Sequence, residues 1–259
     1  MKKITLITGA SSGLGKEFAK IYCKENNNLL LPGRNLESLN CVKEELNKIN
    51  SSVDVEIYKT DLLNSEELKS FKTFLEEKDY FVNNLINCAG FGDRCDFKDM
   101  DLDKQIDMNR LNCDAILFFN KLVLNRMLEN NEGHIINVSS IAGFIPGPYM
   151  STYHATKSYI LLLSESISFE VRKSRVKVLA LCPGPFESNF VKVAGNDYTF
   201  KKIKPMSAQK VAEKGYKASI KGKKVYIPGF GNKLTIFAAK LAPRCLIRVI
   251  SAKNIKKDI

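Results

Sequence analysis

Three observations predict a single α/β domain built on a doubly wound parallel sheet. Short apolar runs alternate with stretches of helical period along nearly all 259 residues. The first run ends in a glycine-rich turn that leads directly into a helix, Thr8-Gly9-Ala10-Ser11-Ser12-Gly13-Leu14-Gly15. No internal repeat, low-complexity block or Pro/Gly-rich linker divides the chain, and a hydrophobic fraction of 44% is enough for one sizeable core.

The elements follow in order. Residues 3–8 form a short apolar strand. Residues 13–24 carry Leu14, Phe18, Ile21 and Tyr22 at helical spacing. A second strand at 29–31 runs to Pro32, which should sit at the strand's C-terminal end because proline cannot donate to a ladder. Residues 36–49 are an amphipathic helix (Leu36, Leu39, Val42, Leu46, Ile49), and 53–59 alternate as a third strand. Ser65 is expected to cap the next helix, with Glu66 and Glu67 in its first turn. A fourth strand at 85–88 precedes a long helix at 101–128. A fifth strand at 134–138, a helix at 152–172, a sixth strand at 176–181, a helix at 208–220 and a seventh strand at 224–227 complete the alternation. Such βαβα order requires right-handed crossovers, and so a seven-stranded parallel sheet with helices on both faces.

Composition narrows the function classes. No apolar run reaches the eighteen residues of a membrane span. Met1-Lys2-Lys3 enters a strand at once, which argues against a signal peptide. Seven cysteines are scattered without CxxC spacing, as expected of free thiols in a reducing cytoplasm. The two histidines, His134 and His154, read as structural or surface residues, and no metal site is expected. The net charge is +12, but Lys221 to Ile259 hold ten Lys or Arg against one acid, so nine of the twelve charges belong to the tail. Nucleic-acid binding is not the expectation for the domain itself.

The chemistry concentrates in three places. The glycine turn lets the backbone approach a pyrophosphate, whose charge meets the amides at a helix N-terminus, while Ser11 and Ser12 add hydroxyls. The second strand ends at Gly33-Arg34-Asn35. An arginine there suits the 2′-phosphate of NADP, because a guanidinium matches phosphate oxygens in a bidentate way. Ser140 lies thirteen residues before Tyr153, and Lys157 follows four later. Residues four apart share a helical face, so the Lys157 ammonium is expected near the Tyr153 phenol and should lower its pKa. A phenol so tuned serves as a general acid and base.

With these motifs in order, the chain resembles the short-chain dehydrogenase/reductase family over nearly its whole length. The tail also resembles that of a bacterial oxidoreductase subgroup with a similar Ile227-Pro228-Gly229 segment. The resemblance rests on Thr8 to Gly15, Asp61-Leu62, Asn87-Cys88-Ala89-Gly90, Asn112, Ser140 with Tyr153 and Lys157, and Pro183-Gly184. It implies a Rossmann-type fold and an NADP(H)-dependent oxidoreductase, dimeric or tetrameric, that interconverts a carbonyl and an alcohol. A hydroxysteroid or 3-oxoacyl substrate is the alternative, and a non-catalytic NADP-binding regulator the rival from another class.

By the same resemblance, Gly9, Ser11, Ser12, Gly13, Leu14 and Gly15 hold the cofactor's phosphates. Asp61 meets the adenine with Leu62 nearby, and Asn87, Ala89 and Gly90 line the cofactor. Pro183, Gly184, Phe186 and Ser188 wrap the nicotinamide. Tyr153 donates or removes the proton, Ser140 steadies the substrate oxygen, and Lys157 also holds the nicotinamide ribose. Asn112 anchors a relay water; Asn109 competes for that role, but spacing favours Asn112. Cys88 stands where the family usually has asparagine, Ser188 where threonine is common, and Asn26-Asn27-Asn28 where a turn often has glycine and alanine.

Residues 1–229 are thus expected to form the catalytic domain, with a substrate lid at about 187–207 carrying Phe190, Tyr198 and Phe200 among lysines. Residues 230–259 are expected as a basic, amphipathic helical extension. Leu234, Phe237, Ala238 and Leu241 have helical spacing, Pro243 interrupts, and Leu246, Ile247, Val249 and Ile250 continue. Apolar residues with basic neighbours suit a weak membrane-surface contact or a partner surface, beside the plainer options of packing on the domain or a dimer contact.

Overall fold

A computed structural model describes residues 1–187 and 205–256. Seven strands form one sheet: β1 (Lys2–Thr8), β2 (Leu29–Gly33), β3 (Val55–Lys59), β4 (Tyr80–Asn87), β5 (His134–Val138), β6 (Lys177–Leu181) and β9 (Val225–Tyr226). Their spatial order is β3-β2-β1-β4-β5-β6-β9, and every pairing is parallel. Two further strands, β7 (Phe186–Glu187) and β8 (Met206–Ser207), pair apart from it. Because helices cover both faces, the central strands are apolar on both sides: Ile4, Leu6 and Ile7 of β1 are all buried.

On one face, α1 (Gly13–Lys24), α2 (Leu36–Ile49) and α7 (Ala208–Ile220) pack around Phe18, Leu31, Leu46 and Leu181. On the other, α3 (Ser65–Glu77), α5 (Ala115–Glu129) and α6 (Ser151–Glu170) pack around Leu6, Phe71, Phe119 and Ile135. After β9 the chain forms α8 (Phe230–Leu241) and α9 (Arg244–Lys256), with Pro243 between them.

Local chemistry moved several expected boundaries. β4 begins at Tyr80, not residue 85, because Tyr80, Phe81 and Val82 pair with the first residues of β1 before a register shift between Ile4 and Thr5. Asn64, not Ser65, caps α3: its side chain accepts the N–H groups of Glu66 and Glu67. The single helix expected at 101–128 is three pieces: α4 (Leu102–Asn109), a π turn (Arg110–Asp114) and α5. Such turns insert a residue without ending the helix, and this one contains Asn112. Pro32 lies beyond the last residue that β2 pairs with β1, so its missing N–H costs no bond there. Most of the expected lid, from Ser188 through Phe190, Tyr198, Phe200 and Lys204, lies outside the described residues.

Candidate active site

A cleft of about 1170 Å³ opens at the C-terminal ends of the strands, beside the reversal of strand order between β1 and β4. Open α/β sheets bind ligands at such a point. The glycine turn forms one end. Gly9 and Gly13 have φ of +69° and +53°, a region glycine enters freely. A Cβ on Gly15 would stand 2.3 Å from the Gly9 carbonyl oxygen, and one on Gly9 would stand 2.9 Å from Ala89 Cα. Side chains are thus excluded by contact as well as by φ. Ser12 makes no side-chain bond to the amides that open α1, so those amides remain for an anion. Thr8 Oγ1 accepts the N–H groups of Cys88 and Ala89 at 3.0 and 3.1 Å, which pins the end of β4 against this turn. The cradle fits a dinucleotide's phosphates.

At the far end of the turn, the Arg34 guanidinium lies 3.7 Å from the Asp61 carboxylate. Asp61 also accepts the Leu63 N–H at 3.0 Å, and its own N–H donates to Glu67 at 2.7 Å. Leu62 is buried in the wall. The Arg34 side chain is two-thirds exposed, so the ion pair is weak and the guanidinium is accessible.

The third group sits where β5 meets α6. Ser139 and Ser140 end up in different roles. Ser139 is buried and donates to the Lys157 carbonyl at 2.7 Å, whereas Ser140 faces Tyr153. Ser140 Oγ accepts the Ala142 N–H at 3.1 Å and reaches the Pro183 carbonyl at 3.4 Å. Lys157 is 6% exposed; its ammonium donates to the Val138 carbonyl at 3.0 Å and stands 5.6 Å from the centre of the Tyr153 ring.

Burial dominates the electrostatics. It pushes Tyr153 up to about 12, and the hydrogen bond from Ser140 offsets only part of that. It also pulls Lys157 down to about 8. The expected lowering of the tyrosine pKa is therefore not found: burial of the phenol dominates, and the group that opposes it is Ser140. Burial holds the neighbouring thiols of Cys88, Cys113 and Cys182 at about 12, 11 and 12. Their interaction with the ammonium offsets only part of its burial.

Asn112 is fully buried behind this pair. Its Oδ1 accepts the Phe91 N–H at 3.2 Å, and its Nδ2 donates to Phe91 O at 2.9 Å and Thr156 Oγ1 at 3.0 Å. It clamps the segment after β4 to the turn of α6 that carries Lys157. A Cβ on Gly90 would come within 2.7 Å of Asn112 Oδ1 and 3.6 Å of the Lys157 ammonium.

The glycine turn, Arg34, Asp61, Leu62, Ala89, Gly90, Ser140, Tyr153, Lys157, Pro183, Gly184 and Phe186 all line the one cleft. Asn87 does not. It lies in the sheet and donates to Asn137, which in turn bonds Asn120 and Ser164. Asn87 is the last residue of β4 and its side chain stays in the buried asparagine network, whereas Ala89, two residues on, lies past the end of the strand. Ser188 lies outside the described residues.

The sequence reading missed the opposite wall. Leu234, Ala238, Ile247 and Ile250 of α8 and α9 line the same cleft as Tyr153, and Asn232 packs directly on Gly184. Their helical spacing was visible, but the cleft they face was not. Neither histidine is in a metal cluster, and none forms among the described residues. His154 Nδ1 bonds the Ile145 carbonyl at 2.8 Å.

Comparison with known proteins agrees with this geometry. The short chain dehydrogenase family model matches residues 3–199. An uncharacterized oxidoreductase of Staphylococcus aureus (strain USA300) is 30% identical over 211 residues, 82% of this chain and 88% of that protein. The mouse protein dehydrogenase/reductase SDR family member 7B is 27% identical over 264 residues, 98% of this chain and 82% of that one. A short-chain dehydrogenase from Sphingobium yanoikuyae in complex with NADPH superposes with a TM-score of 0.82 at 26% identity, covering 93% of each chain. A 7β-hydroxysteroid dehydrogenase superposes at 0.86 with 20% identity, covering 96% of each, which is a likeness of fold. The chain belongs to the short-chain dehydrogenase/reductase family. It is an oxidoreductase acting on CH–OH groups, in a family that binds NAD(P).

Proposed function

We propose that this protein is an NADP(H)-dependent reductase that interconverts a ketone or aldehyde and its alcohol, with Tyr153 as the acid and base. The observation that carries this reading is the convergence of Ser140, Tyr153 and Lys157 on one cleft wall, next to a phosphate-sized glycine cradle.

The dinucleotide, when bound, supplies or accepts the hydride. Gly9, Gly13 and Gly15 admit its pyrophosphate, and Arg34 leaves Asp61 to bond the 2′-phosphate, which sets the preference for NADP over NAD. Ser140 turns its O–H from Pro183 to the substrate oxygen and steadies the charge that develops there. Tyr153, neutral at pH 7, donates its proton to that oxygen in reduction and recovers it in oxidation. The Lys157 ammonium faces the resulting phenolate and favours it when it forms. Asn112 is a positioning residue. Both its amide donors are engaged, so the relay water belongs at its main-chain carbonyl.

The apolar wall of α8 and α9 favours a bulky, hydrophobic carbonyl compound, such as a hydroxysteroid or an acyl chain, over a small polar one. Seven free cysteines suit a cytoplasmic enzyme. Leu117, Tyr159, Leu162 and Phe169, exposed on α5 and α6, form the face we assign to a homodimer or homotetramer.

A panel of ketones, steroids and acyl thioesters, followed by loss of nicotinamide absorbance, tests the activity. NADPH oxidation with at least one hydrophobic ketone is expected. Failure of every carbonyl class with a protein that binds NADPH would favour the regulator instead.

A further inference from the structure

We infer that the outer face of α8 and α9 docks the protein on an anionic lipid surface, with the mouth of the cleft turned toward the bilayer. Phe230, Leu234, Phe237 and Leu241 are spaced i, i+4, i+7 and i+11, so they form one stripe along α8. All four are exposed, Phe230 by 82% and Leu241 by 73%. Leu246, Val249 and Ile250 extend the apolar surface onto α9. A contiguous face of seven large apolar side chains is not a neutral feature of a protein surface. The opposite side of α8 is anchored: Ile236 is buried, and Asn232 donates to the Pro228 carbonyl at 2.7 Å. The stripe is therefore the outward side of a docked helix.

Charge decides what covers it. From Phe230 to Lys256 there is no acidic residue, while Lys233, Lys240, Arg244, Arg248, Lys253 and Lys256 are all cationic. Among the described residues none of the six forms a salt bridge. Lys233, Lys240 and Lys256 lie over the rings of Tyr226, Phe144 and Tyr149, snorkelling along the body with their charge intact. A second copy docked through this face by two-fold symmetry would bring these cations against themselves, with no acid in the segment to offset them. The α5 and α6 face is different: its apolar residues stand among Lys121, Glu165 and Glu170, both signs together. Anionic lipid complements the α8 and α9 face on both counts, taking the apolar stripe into the headgroup boundary and the cations to the phosphates. No described helix is long and apolar enough to cross a membrane, so the contact is peripheral.

The position of this face gives docking a purpose. Leu234 and Ile250 belong both to the exposed surface and to the cleft lining. Arg94 donates to the Ile255 carbonyl at 3.0 Å, and Lys256 lies over Tyr149, which ties α9 to the loops on either side of the cleft. A carbonyl compound dissolved in the bilayer thus enters, past Leu234 and Ile250, the cleft that Tyr153 also lines; this second step rests on the function proposed above.

Flotation of the full-length protein with vesicles tests the docking without reference to activity. Binding to phosphatidylglycerol–phosphatidylcholine vesicles should exceed binding to pure phosphatidylcholine at least about ten-fold and fall with salt. The triple variant Phe230→Ser, Phe237→Ser, Leu241→Ser should lose it, and Arg244→Gln, Arg248→Gln, Lys253→Gln should weaken it about five-fold per charge. None of these six side chains lines the cleft, and an unchanged melting temperature shows that the variants fold. Equal flotation of wild type and triple variant overturns the proposal. So does a wild type that ignores anionic vesicles while light scattering shows the triple variant converting a dimer to a monomer, because the face is then a self-contact. For delivery, a long-chain ketone presented in anionic vesicles should be reduced at least about five-fold faster by wild type than by the triple variant, with a short soluble ketone reduced equally by both. Equal rates on both ketones, with docking intact, would overturn the delivery step alone.

Discussion

The Lys157 ammonium stands 5.6 Å from the centre of the Tyr153 ring while donating to the Val138 carbonyl at 3.0 Å. The lysine is thus held by the end of β5 and does not depend on the phenol for its place. Both groups are shifted toward their neutral forms, the tyrosine to about 12 and the lysine to about 8. An acid that must donate one proton and then take it back is served by a cation that matters most when the phenolate is present.

The lysine gives a pH signature. Its folded pKa, about 8, lies below its ordinary 10.5, so between those values the unfolded chain holds a proton that the folded chain has released. Stability then rises with pH across that window, by about 3 kcal/mol from this group. Lys157→Met should remove that rise, measured as the difference between wild-type and variant urea unfolding at pH 7.5 to 10 (roughly the window). It should also lower kcat/KM about 10²-fold or more. Wild-type reduction should slow above pH of about 8 as the ammonium is lost.

Gly15→Ala places a methyl group 2.3 Å from the Gly9 carbonyl oxygen. The turn has to open, at a cost of about 1–3 kcal/mol. Dinucleotide affinity, read by fluorescence titration, should fall at least about ten-fold, and the melting temperature should drop by several degrees.

Arg34→Ala removes the group assigned to the 2′-phosphate. Charge-assisted bonds of this kind contribute about 1.5–3 kcal/mol, so Kd for NADPH should rise about ten- to a hundred-fold while Kd for NADH stays within about two-fold. Equal losses for both cofactors would place Arg34 elsewhere in the binding mode.

Asn112→Ala cuts three hydrogen bonds at a buried position. The Phe91 N–H and C=O lose their partner, and stability should fall by about 2–3 kcal/mol. If Asn112 acts by placing Lys157, the variant's pH–rate profile should also shift on its alkaline limb, which a merely structural residue would leave unmoved.

Much of this was legible in the sequence, for identifiable reasons. Strand and helix order came from periodicity, and the glycine turn and the Ser140, Tyr153 and Lys157 spacing each depend on local geometry that a sequence carries directly. Ser65 and Asn64 are both competent caps, and only the backbone at the helix start chooses between them. The π turn at Asn112 leaves the apolar pattern nearly continuous, so periodicity could not locate it. Asn87 and Ala89 are two apart, but β4 ends at Asn87, so strand alternation does not carry over to Ala89 and only the latter reaches the cleft. The tyrosine pKa turned on burial, which no pair spacing reports. The wall made by α8 and α9 is a long-range contact between residues 232–255 and the ends of β5 and β6, and nothing local in the tail encodes its target.

The most direct test of the account is kcat/KM for NADPH-dependent ketone reduction by Tyr153→Phe. The variant keeps the ring and loses only the hydroxyl, so NADPH affinity and melting temperature should hold while kcat/KM falls about 10³-fold or more. Turnover within about ten-fold of wild type, with cofactor binding intact, would contradict the assignment of Tyr153 as the proton donor.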